Sequence, residues 1–159
     1  MSTASTNAYA AKRAIIDALT ARAALKQGGL GQAKVTYAWD GGTGGDLVQV
    51  FGGLVYFTQA GDDDAVDGDQ RLVKEEALIS IHTRVSINPI PPDGEPAREA
   101  DELVEAILDD IADEVARNRH LAGGHSICRI ADGNGGPEPG DGETVASASI
   151  HIAIESYVH

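Results

Sequence analysis

The chain has one cysteine, Cys128, in 159 residues. That excludes an intramolecular disulfide framework, and any zinc site drawing several thiolates from one chain. Aromatic residues make up only 4% of the sequence, so the core must rest on Ile, Leu, Val and Ala. No apolar run approaches the roughly 20 residues that cross a bilayer. The first nine residues lack the basic-then-apolar order of a secretory leader. The expectation is a protein made in a reducing cytoplasm, with no membrane contact. Basic residues are few as well: 12 Lys and Arg stand against 25 Asp and Glu, for a net charge of −13. Gripping nucleic-acid phosphates takes a basic patch that displaces counterions, so the composition argues against that class.

What is present suits one globular domain spanning 1–159. The length can bury a core without metal or disulfides, and the hydrophobic fraction of 42% is ordinary. Thr6 to Gln27 reads as an Ala-rich helix with Thr6 and Asn7 as candidate caps and Gly28-Gly29 as its stop. Ala33–Trp39 alternates as a strand, placing Val35, Tyr37 and Trp39 on one face. A glycine turn, Asp40–Asp46, leads to a second strand, Leu47–Thr58, with a bulge or bend expected at Gly52-Gly53. The clearest strand is Ala77–Asn88: Ile79, Ile81, Thr83, Val85 and Ile87 face one way, and Ser80, His82, Arg84 and Ser86 the other. Pro96 opens a second helix reaching about His120, with an apolar stripe of Leu103, Ile107, Ile111 and Val115. Ser126–Ala131 and Thr144–Val158 read as the last two strands. An acidic loop at 61–70 and a Gly/Pro loop at 132–142 read as insertions. The fold class predicted is α+β: a mostly antiparallel sheet of about five strands with two main helices packed on one face.

Each catalytic near-match fails for a geometric reason. Gly41-Gly42-Thr43-Gly44-Gly45 lacks the Gly-Lys-Ser/Thr ending of a phosphate loop and lies between two strands, so it reads as a hairpin turn. Gly124-His125-Ser126-Ile127-Cys128 runs from helix into strand, the reverse of a nucleophile elbow, and Cys128 reads as a small core residue. Aligning Gly68 with the glycine of a calcium loop puts Lys74 where a bidentate Glu is required. The five histidines form no metal-ligand spacing, and read as surface or interface residues. No catalytic site, metal or cofactor is therefore expected.

The charge is unevenly placed. Residues 1–27 hold Lys12, Arg13, Arg22 and Lys26 against Asp17, a balance of +3 that leaves −16 for the remainder. Asp101, Glu105, Asp109 and Asp113 form one i,i+4 row on the second helix, where each like-charge pair costs roughly 0.2–0.5 kcal/mol. The four basic residues of the first helix are candidates to meet that row from an adjacent copy.

The layout as a whole resembles the tail terminator proteins of long-tailed phages, especially those of actinobacteria, over about residues 8–158. The resemblance lies in the Ala-rich first helix, the strand ending Val35-Thr36-Tyr37-Ala38-Trp39, and the alternating strand Leu78–Val85 running into proline. It continues in the acidic helix that closes on Leu121-Ala122-Gly123-Gly124 before two final strands. It implies a virion protein, assembled in the host cytoplasm, that forms a homohexameric ring. Such a ring caps the tail tube, stops its polymerisation, and meets the major tail tube protein on one side and a head-completion or connector protein on the other. DNA passes through its lumen without specific binding. An acidic lining would repel phosphate, and Asp62, Asp63, Asp64, Asp67 and Asp69 are the candidates for that lining or for a ring face. Two alternatives stay open at this point: a head–tail connector or stopper of the neck, and a small acidic metal- or ligand-binding module.

Overall fold

The computed structural model describes residues 6–25, 29–41, 47–61, 73–87, 94–118, 127–139 and 144–158. Helix α1 (Ala8–Leu25) starts where Thr6 Oγ1 accepts the Ala8 N–H and the Asn7 carbonyl accepts the first helical N–H, that of Ala11. Helix α2 (Pro96–Arg117) has Pro96 in its first turn, where a missing N–H costs nothing. Five strands form one sheet: β1 (Lys34–Thr36), β2 (Leu47–Gly61), β3 (Val73–Ile87), β4 (Ile127–Pro139) and β5 (Thr144–Val158). Their spatial order is β1-β2-β3-β5-β4. All neighbours are antiparallel except β1 and β2. The chain crosses from β3 through α2 to the far edge at β4, and β5 returns between them. The architecture is α+β, as the sequence pattern predicts.

Both helices cover the same face. Ile79, Ile81, Thr83 and Val85 of β3 and Ile150, Ile152 and Ile154 of β5 are buried there. They pack against Ile15, Ile16 and Leu19 of α1 and Ile107, Ile111 and Val115 of α2. Each fully buried Ile or Leu contributes about 1.5–3 kcal/mol of transfer free energy. Leu30, in a single 3-10 turn after α1, closes one end of this core and is 0% exposed. Gly29 supplies the turn's positive φ of 48°.

Along β2 the ladder slips between Gly52 and Val55. The bulge exchanges the faces of the strand: Val50 and Gly52 lie under α1 before it, and Val55 packs against the core after it.

Three expectations need correction. The glycine segment after β1 does not close a hairpin, because β1 runs parallel to β2, with Val35 opposite Val50. Residues 42–46 of that segment lie outside the described residues. Tyr37 and Trp39 then lie beyond the strand and share no face: Lys12 Nζ sits over the Tyr37 ring, whereas Trp39 contacts Phe51 across the sheet. Finally, Asp132–Pro139 is strand rather than loop, continuing β4 past a register shift between Ile130 and Asp132. An edge strand takes hydrogen bonds from one side only, so glycine and proline are tolerated there when a long partner such as β5 supplies the ladder.

Candidate interaction surfaces

One member of each charged row meets the other, Arg22 of α1 and Asp113 of α2, and they do so within one chain. Arg22 is 8% exposed and donates to Asp110 Oδ1 at 3.0 Å, Asp113 Oδ2 at 2.8 Å and Glu114 Oε2 at 3.0 Å. Burial alone would lower its pKa, yet the three carboxylates hold it raised. The hydrogen bond from Arg22 leads the forces that lower the Asp113 pKa. Asp110 also accepts the Leu30 N–H at 3.1 Å, tying the turn after α1 to α2. Lys12 is buried too: its Nζ donates to the Gly53 carbonyl at 2.8 Å and lies 4.1 Å from the Tyr37 ring centroid. Burial lowers its pKa. Arg22, Lys12 and Asp113 are therefore engaged inside the subunit rather than presented to a neighbour. The cause is the shared sheet face, which sets α1 beside α2. Arg13, Asp101, Glu105 and Asp109 stay exposed. Lys26 and Asp62, Asp63, Asp64, Asp67 and Asp69 lie outside the described residues, as do His125 and Ser126. Cys128 is buried.

Asp101, Glu105 and Asp109 instead form the lip of a groove of about 480 Å³ between α2 and β4. Its floor is apolar and small: Val104, Leu108, Ala148 and Ile150 beside Gly133, Gly135 and Gly136. Gly133 and Gly135 stand opposite Ile150 and Ala148, and so face α2. With no side chain at either position, the space under the helix stays open. A Cβ on Gly135 would come within 2.5 Å of the Ser147 carbonyl oxygen. Only the acidic lip of this groove is visible in the sequence; its floor required the glycine segment to be read as strand.

Among the described residues the opposite face of the sheet carries no helix, and its chemistry is different. Trp39 and Phe51 have ring centroids 5.0 Å apart, Phe51 and His82 follow at 5.2 Å, and the Arg84 guanidinium lies 5.8 Å from the Trp39 centroid. Beneath them Gln49 is buried and donates to Asp40 at 3.2 Å. None of the seven aromatic side chains (four Tyr, two Phe, one Trp) is fully buried. Six are exposed and Phe51 is half-buried.

This face also brings together a hydroxyl and an imidazole that the sequence order does not pair. Ser149 Oγ lies 2.7 Å from His82 Nδ1, and His151 Nδ1 lies 2.5 Å from Asp132 Oδ1. Burial first, and the nearby His151 second, lower the His82 pKa, which keeps the ring neutral at pH 7. The pair still lacks the parts of an acyl-transfer site. The carboxylate sits on the other histidine, and among the described residues no carboxylate orients His82 as a base. Ser149 lies mid-strand between β3 and β4, where backbone amides are consumed in ladders on both sides and none is left to stabilise an oxyanion. Neither a protein-family model nor a curated protein sequence matches the chain.

Proposed function

We propose that this chain is a structural ring subunit of a long-tailed phage, acting as the tail terminator. The observation that carries the reading is the distribution of aromatic residues. A chain with few aromatics places six of its seven on the surface, while the core is made of Ile, Leu, Val and Ala. Exposed Trp and Tyr beside Arg are the residue types on which protein interfaces concentrate their binding energy. An acidic helix surface adds a second, chemically different patch. A ring needs two such patches, because each copy must offer one surface to the neighbour before it and another to the neighbour after it.

In this role the protein performs no chemistry. Interface free energy builds a homohexameric ring on the end of the tail tube, which blocks addition of further major tail tube protein. The opposite side of the ring receives a head-completion or connector protein. The net negative charge keeps DNA moving through the lumen, since phosphate is repelled rather than gripped.

Negative-stain microscopy of the purified chain, with and without polymerising tube subunits, tests the reading. Rings at the ends of shortened tubes are expected. A chain that never associates with tube, and leaves tube length unchanged, overturns it. Rings that ignore tube but bind a connector would assign the protein to the neck instead.

A further inference from the structure

We propose that successive copies of this chain join head to tail, with the Trp39–Arg84 patch of one copy seated in the α2–β4 groove of the next. The inference rests on the ring-subunit reading and names the two surfaces that build the ring. Placement comes first. Trp39 follows β1 and stacks on Phe51 of β2, whereas the groove is bounded by β4. With the order β1-β2-β3-β5-β4, the Trp39–Arg84 patch lies over β2 and β3 on the face away from α1 and α2, and the groove lies between α2 and β4 on the other face. A contact between unlike patches on different faces of the sheet repeats from copy to copy and can close into a ring.

Shape and charge agree with that placement. Trp39 is 47% exposed, with its indole against Phe51 and the Arg84 guanidinium, so it offers an exposed aromatic surface beside a cation. The groove offers an apolar floor of Leu108, Gly135 and Ile150. Its lip is a row of carboxylates, Asp101, Glu105 and Asp109, none of which pairs with a described Lys or Arg. The Arg84 guanidinium would enter that row as the indole enters the floor, relieving the repulsion along the helix. Lys34 lies near the same patch and is already held by Asp40.

Complementation tests this. Variant one carries Trp39→Ala and Arg84→Glu; variant two carries Glu105→Arg and Asp109→Arg. Circular dichroism first checks that both keep the wild-type fold. In sedimentation velocity at low ionic strength the wild type is expected to form species larger than a dimer. Each variant should self-associate about thirtyfold more weakly or worse, as loss of a Trp–Arg anchor predicts. An equimolar mixture should give a one-to-one dimer and nothing larger, because it retains one intact patch of each kind. Combining Arg84→Glu with Glu105→Arg and Asp109→Arg in a single chain should restore assembly. If the variants assemble like the wild type, or their mixture stays monomeric while the wild type forms rings, the inference falls and the ring reading stands. A wild type that forms no assembly alone or on tubes removes both.

Discussion

Arg22→Met is the substitution whose consequence the structure specifies most closely. The guanidinium is buried and serves three carboxylates of α2. Asp110 and Glu114 are 19% and 17% exposed, so solvent screens them little once the cation is gone. Asp113 is 42% exposed, and its share is discounted. Breaking a buried ion pair from one side costs about 3–5 kcal/mol, because the remaining charges stay uncompensated. Taking about 3 kcal/mol, the melting temperature should fall by roughly 6–12 °C. Arg22→Lys should fall between the two proteins, since an ammonium carries the charge but lacks the planar fork. The pH dependence follows from the depressed Asp113 pKa. A carboxyl whose folded pKa lies below its unfolded value stabilises above the unfolded value, and that contribution is lost as pH falls through the folded one. The gap between wild type and Arg22→Met should therefore be widest at pH 7 and narrow below about pH 4. Urea denaturation followed by circular dichroism at pH 7 and pH 3 measures both quantities. A loss under about 1 kcal/mol at pH 7, or a gap unchanged at pH 3, would refute the assignment of Arg22 as the clasp between the helices.

Three further predictions concern the rest of the molecule. His82 has a pKa below the ordinary 6.5, so the folded state binds fewer protons than the unfolded one as pH falls through that value. Wild-type stability should drop between pH 7 and pH 5, and His82→Phe should drop less; equal slopes in denaturant titrations would count against this. Glu75 is 1% exposed and accepts the Asn7 N–H at 2.9 Å and the Gln59 Nε2–H at 2.7 Å. Glu75→Ala should cost about 2 kcal/mol or more and speed amide exchange in the first turn of α1, which hydrogen-exchange mass spectrometry reads. Gly52→Ala would bring a Cβ within 2.5 Å of the Tyr37 carbonyl oxygen and 2.7 Å of Lys12 Cε. Thermal melting should show a loss of about 1–3 kcal/mol; an unchanged melting temperature would mean that α1 is not held closely over the bulge.

The surfaces proposed for assembly were only partly legible in the sequence. The acidic row of α2 is plain from its i,i+4 spacing. Of the basic residues on α1, Arg22 reaches Asp113 of that row within the chain, and Lys12 turns to the Gly53 carbonyl instead. Nothing in the chain order singles out Trp39 and Arg84 as a pair. Reading strand alternation through Trp39 placed it with Val35 and Tyr37, but the strand ends at Thr36. The Ser149–His82 contact was equally hidden, since its members are far apart in sequence and meet only through the β3–β5 register.

The sequence by itself determined the elements whose period is a property of the backbone. The alternation of β3 and β5, the apolar stripe of α2, the Thr6 hydroxyl at the start of α1 and the bulge at Gly52-Gly53 all follow from residues a few positions apart. Tertiary structure alone decided which segments became neighbours. It set β1 parallel to β2, and it drew the glycine- and proline-rich stretch after Ala131 into β4, because that stretch has little preference of its own and β5 supplied a ladder. The same placement turned Arg22 inward and left the carboxylates of Asp101, Glu105 and Asp109 over an unfilled glycine floor. Charge and apolar surface are written along the chain, but what each one meets depends on distances that only the packed sheet and helices define.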